Sequence, residues 1–161
     1  MSGPRELPPT RPAITHRFQV AGHKGYVTVG LYEDGSPGEV FITMAKEGST
    51  LSGLMDALAA TASLALQHGT PLYALCRRLA YMHFEPSGPT DNPEIPYAHS
   101  VVDYVFRWLA LRFLPEDERA AIGVAGGAKD SPSCPTCGSP LLRRNGRASC
   151  PRCGEEAVGQ G

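Results

Sequence analysis

Nowhere in the chain do about eighteen apolar residues run together, the length a helix needs to cross a bilayer. The opening Met-Ser-Gly-Pro-Arg-Glu-Leu-Pro-Pro-Thr lacks the apolar core of a secretory signal, so the expectation is a cytoplasmic protein with no membrane partner. An excess of one charge is missing too. Fifteen Lys and Arg against 16 Asp and Glu leave a formal net charge of −1, and the pI near 6.5 argues against a nucleic-acid partner held by bulk electrostatics. No P-loop spacing, dinucleotide fingerprint, Ser/His/Asp order or paired carboxylates in a credible cleft can be read from the residues, so no complete catalytic set is visible. None of the five histidines is paired at ligand spacing with another His or with an acidic residue on the same helical face. His16 and His68 are therefore read as structural or solvated. Lys46-Glu47-Gly48-Ser49-Thr50 precedes a helix, but one Gly without P-loop spacing reads as a helix start rather than a phosphate site.

Cysteine is scarce, five in 161 residues, yet four of the five are concentrated near the end. Cys134, Cys137, Cys150 and Cys153 form two Cys-x-x-Cys knuckles, each flanked by Pro and Gly, and two such turns can aim four thiolates at one tetrahedral centre. The Gly after each second Cys lets the chain leave with positive φ. Between the knuckles, Leu141, Leu142, Arg143 and Arg144 lead to Asn145-Gly146, the favoured type I′ turn, so a short β-hairpin should join them. This describes a zinc ribbon. About twenty residues with two leucines cannot fold without a metal or a disulfide. The competing reading is a redox dithiol, because Cys-x-x-Cys is also the spacing of thiol–disulfide exchange sites. Arg143, Arg144, Arg147 and Arg152 would stabilise thiolates and favour either outcome. Two structural disulfides are the weakest option, since nothing points to export. Cys76, the odd thiol, lies on a helical stripe and reads as a small buried hydrophobe.

The remaining sequence reads as one α+β domain. Ile14, His16, Phe18 and Val20 alternate with polar residues, as do Val27, Val29 and Leu31, then Val40, Ile42 and Met44. Short turns at Gly22-His23-Lys24-Gly25 and Glu33 to Gly38 make these a three-stranded antiparallel meander. Three helices should cover one face of it. The first starts near Leu51 or Ser52 and carries Leu54, Met55, Leu58, Ala62, Ala65 and Leu66, with Gly69 at its end. Thr70-Pro71 opens a second, with Leu72, Leu75, Cys76 and Leu79 buried. Ser100 opens a third, with Val102, Val105, Phe106, Leu109 and Phe113 on one face, and Pro115 stops it. The Pro-rich stretch from His83 to His99 admits no regular element. The expected organisation is an extended arm at 1–13, the α+β body at 14–119, a Gly/Ala-rich linker at 120–132, the four-cysteine tail at 133–154 and a disordered end at 155–161.

Several stretches resemble the C-terminal region of adenosylcobalamin-dependent, class II ribonucleotide reductases. They are Ile14-Thr15-His16-Arg17-Phe18, Gly22-His23-Lys24-Gly25-Tyr26 through Asp34-Gly35, Met44-Ala45-Lys46-Glu47-Gly48-Ser49-Thr50, Asn92-Pro93-Glu94-Ile95-Pro96 and Val102-Asp103-Tyr104-Val105-Phe106-Arg107-Trp108. Ser133-Cys134-Pro135-Thr136-Cys137 is similar to the motif that gives the TSCPD domain its name.

The resemblance implies an accessory or C-terminal module of a cobalamin-dependent ribonucleoside-diphosphate reductase, serving DNA precursor synthesis. The family's catalytic barrel has no counterpart here, so adenosylcobalamin would come only through a barrel-bearing partner subunit, and the isolated chain is expected to be inactive. In the family, C-terminal cysteines re-reduce the barrel's disulfide before thioredoxin-like donors restore them. By position Cys150 and Cys153 would be the relay pair, or Cys134 and Cys137 if the knuckles exchange roles. Zinc in all four sulfurs would mask that relay. The alternative function is a free-standing zinc-ribbon adaptor that binds another protein or nucleic acid through Arg143, Arg144, Arg147 and Arg152.

Overall fold

The computed structural model describes residues 3–45, 49–124, 134, 136, 142–144, 147–150, 152–154 and 156–157. Three strands, β1 (Ala13–Val20), β2 (His23–Leu31) and β3 (Pro37–Met44), form an antiparallel sheet in the order β1-β2-β3. The register aligns Phe18 with Gly25 and Met44, and His16 with Val27 and Ile42, so the alternation in sequence becomes one buried face. Gly25 is required by that register. A Cβ there would lie 2.7 Å from the Phe18 ring and 2.9 Å from the Thr43 carbonyl.

Helix α1 (Thr50–Gln67) does not lie over the sheet as a simple cover; it runs along β3. Its buried residues are Met55, Ala59 and Ala62, while Leu54, expected in the stripe, is exposed. The small alanines permit a close approach. Ser63 Oγ then accepts from Val40 N–H at 2.8 Å, and Gln67 Nε2 donates to the Gly38 carbonyl at 3.1 Å. The helix thereby satisfies outward-pointing groups of an edge strand that would otherwise invite pairing. Ser49 caps α1 through Ser52 N–H, and Gly69 follows it with φ of 91°, the left-handed geometry expected at that position.

Helix α2 (Leu72–Leu79) begins one residue later than Thr70-Pro71 suggests. Pro71 occupies the cap position and makes no side-chain cap bond. Helix α3 (Val101–Phe113) is capped by Ser100, as expected. It is not amphipathic, however, because all ten residues from Val101 to Ala110 are buried. Phe18 stacks on Tyr104, and α3 fills the centre between the sheet and α2. Pro115 ends α3 but also caps a fourth helix, α4 (Glu116–Ala121), which the sequence reading omitted.

Residues 120–124, assigned to the linker on their Gly and Ala content, finish α4 and tuck Ile122 and Val124 into the core. The Tyr81 hydroxyl donates to the Gly123 carbonyl at 2.6 Å and fixes that exit. The Pro-rich stretch holds one small ladder, β4 (Gly88–Pro89) with β5 (Tyr97–Ala98), and buries Ile95 between its prolines. The N-terminal arm also lies on the body. Arg5 N–H donates to Gln67 at 2.7 Å, and the Arg5 carbonyl accepts from the Tyr32 hydroxyl at 2.9 Å. Among the described residues no helix is long and apolar enough to cross a membrane.

Candidate metal centre

Strands β6 (Leu142–Arg144) and β7 (Arg147–Ser149) pair antiparallel, the hairpin expected between the knuckles, and β8 (Glu156–Ala157) adds a third strand. The Asn145-Gly146 turn itself lies outside the described residues, as do Cys137 and Gly138. Cys150 follows directly on β7, so the strand delivers the second knuckle. Its turn closes through Gly154 N–H to the Cys150 carbonyl at 3.0 Å. Gly154 then leaves with φ of 71°.

The outcome is a cluster. The Sγ atoms of Cys134, Cys150 and Cys153 all lie within 4.8 Å of one another, and Cys134 Sγ to Cys153 Sγ is 3.5 Å. That separation is far longer than the roughly 2.05 Å of a disulfide. A tetrahedral zinc with Zn–S of about 2.3 Å places its sulfurs roughly 3.8 Å apart, so the spacing and the soft donor set fit such an ion. Cys134 and Cys150 are 2% exposed, while Cys153 is open to solvent. The tail is thus zinc-ribbon-like in outline, with three of the four expected ligands together among the described residues.

The tail is not a separate bead. Arg152, inside the second knuckle, donates from Nη1 to the carbonyl of Ala80 at the end of α2, 3.0 Å away. Next to that contact lies a polar cluster that sequence reasoning missed. Asp103 is fully buried and accepts from Tyr81 N–H at 2.6 Å, His99 N–H at 2.7 Å and the Arg107 guanidinium at 2.8 and 2.7 Å. His99 Nδ1 lies 3.6 Å from Asp103 Oδ2, although His99 precedes the Ser100 cap of α3 and so shares no helical face with Asp103. The i, i+4 spacing of Asp103 and Arg107 on α3 was the available signal. With four donors on its carboxylate, Asp103 is a structural anchor rather than an acid or base. Burial lowers the pKa of His99 from its ordinary value, with Asp103 opposing and Arg107, His83 and Arg152 adding to the fall.

The other candidates resolve simply. His16 stacks on Trp108 at 4.8 Å, and its Nε2 meets the Tyr104 hydroxyl at 2.8 Å. His68 Nδ1 meets the Leu64 carbonyl at the end of α1. Cys76 is completely buried, and burial, aided by Glu118, pushes its thiol up to about 12, in keeping with a packing role. At the start of α1, Ser49 is occupied as a cap, and residues 46–48 lie outside the described set.

Residues 3–113 match the TSCPD domain family. The chain belongs to that family. The TSCPD match covers the body and leaves the cysteine tail beyond it. Among curated proteins, the chain is 53% identical over 108 residues to a vitamin B12-dependent ribonucleotide reductase of Rhodopirellula baltica, covering 67% of this chain and 10% of that protein. A protein of the same name from Streptantibioticus cattleyicolor is 48% identical over 120 residues, covering 74% of this chain and 20% of the relative. One from Bradyrhizobium diazoefficiens is 40% identical over 118 residues, covering 73% and 9%. The chain therefore spans a tenth to a fifth of the length of these curated relatives. No solved structure matches it.

Proposed function

We propose that this TSCPD domain is an accessory or C-terminal module of a vitamin B12-dependent ribonucleotide reductase, docking on a barrel-bearing subunit and presenting its four-cysteine tail as a zinc ribbon. The observation that carries the reading is 53% identity over 108 residues to such a reductase, although those residues are a tenth of that protein. Conversion of ribonucleotides to deoxyribonucleotides, with its cobalamin, belongs to the partner in this reading. The enclosed histidines of the body are already committed, His16 to Tyr104 and Trp108, and His99 beside Asp103.

The tail's residues have defined parts. Cys134, Cys150 and Cys153, with Cys137 as the fourth donor, would hold the metal, which supplies the cross-link that so short a segment needs to fold. Arg152 fastens the ribbon to α2. A thioredoxin-like reductant would meet the tail at its exposed sulfur, Cys153.

The test is capture. Full-length chain tagged in its native cell should co-purify with a barrel-bearing reductase subunit. Protein purified anaerobically should carry one zinc and four protected sulfurs in the tail. Recovery of no reductase subunit would remove the module reading, and salt-sensitive retention of nucleic acid would favour the adaptor instead.

A further inference from the structure

Leu54 is 59% exposed although its hydrophobicity suits the core. It stands in the middle of a ridge on α1, with Leu51 and Leu58 at the i, i+3 and i+7 spacing of one helical face, and neither of those is fully buried. Facing the ridge are Leu79, Met82 and Phe84, from the end of α2 and the chain after it, and the two walls bound an open groove of about 370 Å³. The far wall is held in place from behind. The Ser100 hydroxyl donates to the Met82 carbonyl at 2.5 Å, and Phe84 N–H donates to the His99 carbonyl at 3.1 Å. Among the described residues lining the groove, Glu85 alone carries a charge, and it is exposed at the rim. The groove also adjoins the seat of the tail: Leu79 and Met82 lie one and two positions from Ala80, whose carbonyl accepts from Arg152.

We propose that this groove is the surface by which the module docks on the reductase subunit, and that its occupant is an amphipathic helix of that subunit. The proposal rests on the module reading and names its docking face. The walls are a helix and a bonded turn rather than a strand edge, so the groove takes a row of apolar side chains and not an added strand. Its occupant carries apolar residues at i, i+3 or i+4 and i+7, whose ridge enters between the two walls. A Lys or Arg on that helix meets Glu85, the single charge at the rim. In the relatives the matched residues are a tenth to a fifth of a much longer protein, so the apolar ridge has a large neighbouring surface to close on. Docking there has a consequence for the tail. The ribbon is fastened at Ala80, beside the groove, so the subunit that fills the groove lies next to the point where the cysteine cluster is held.

Tagged full-length Leu54→Asp and Leu64→Asp chains are compared in the native cell, and the amount of reductase subunit that co-purifies is measured. Leu64 is the control, because it stands on the same helix, is 57% exposed and lies outside the groove. Leu54→Asp should lower recovery about tenfold or more, as the loss of one interface hot spot does, while Leu64→Asp recovers the subunit as the unmodified chain does. A photo-reactive benzophenone side chain in place of Leu54 gives a second readout that needs no loss of binding. Irradiation should join it to a peptide of the reductase subunit that bears the apolar spacing and a basic residue. Equal recovery by the two variants, attachment to a second copy of this chain, attachment to a reductase peptide without that spacing, or no attachment to a subunit that the chain does capture overturns the groove and leaves the module reading standing. Recovery of no subunit by the unmodified chain removes the module reading and its docking face together.

Discussion

Arg152 Nη1 donates to the Ala80 carbonyl at 3.0 Å, joining the second knuckle to the end of α2 across 72 positions of sequence. Ala80 is the C-cap of α2, where helix carbonyls carry partial negative charge, so a guanidinium is electrostatically suited to the position. The tail consequently has a preferred seat on the body. Arg152→Ala should weaken that seat by about 1 kcal/mol, roughly a fivefold shift in occupancy. Hydrogen exchange is the measurement. Amides of β6 and β7 should exchange faster in the variant while those of α3 keep their wild-type rates; uniform acceleration would mean that Arg152 supports the whole fold instead.

Asp103 sets the stability of the body's far end. It ties Tyr81, His99 and Arg107 together, and removing it would strand a buried guanidinium and two buried N–H groups. Breaking a buried pair from one side costs about 3–5 kcal/mol. Asp103→Ala should therefore lose stability of that order in urea unfolding, and a loss below about 1 kcal/mol would show that the cluster is incidental.

That anchor also marks where reading from sequence stopped. The meander was legible because period-two alternation is a direct consequence of a sheet with one buried face, and Phe18, Val27 and Ile42 all fall where it puts them. The third helix was legible as an element but not as the centre. Asp103 and Arg107 stand four apart on α3, a pairing that helical spacing allows, but they look like a solvated face until their burial is seen. Likewise Leu54 was assigned inward by its hydrophobicity, whereas the seat of α1 along β3 favours Ala59 and Ala62, whose smallness is what lets Ser63 reach a strand edge. The cysteine spacing foretold a cluster because ligand geometry is local. The Arg152 contact, 72 positions from its acceptor, carried no local signal.

Acid should destabilise the body through its histidines. Burial lowers the His16 pKa below its ordinary 6.5, with Asp91 opposing, and burial lowers His99 likewise. A depressed folded-state value means that the unfolded chain binds more protons between that value and about 6.5. Stability is thus fully present above about pH 7, falls as pH drops through about 6.5, and levels off below the folded-state values. Thermal unfolding followed from about pH 8 to about pH 5 should show this decline, and His16→Gln should flatten part of it. An unchanged slope in that variant would assign the acid sensitivity to other groups.

The Ser63 hydroxyl meets both backbone groups of Val40 on the edge of β3. Its Oγ accepts from Val40 N–H at 2.8 Å and lies 3.1 Å from the Val40 carbonyl and 2.8 Å from that of Ala59. Ser63→Ala removes the acceptor while keeping the helix propensity high, so the loss isolates the edge contact from the helix itself. Leaving Val40 N–H without its acceptor should cost about 1–3 kcal/mol, seen as a lower urea midpoint with an unchanged slope. The same change frees the backbone groups of Val40 on a β-edge, so the variant should also show faster light-scattering growth on warming than a control of equal stability. Equal growth in the two would mean that α1 shields β3 by bulk alone, and that the Ser63 hydroxyl is dispensable to that protection.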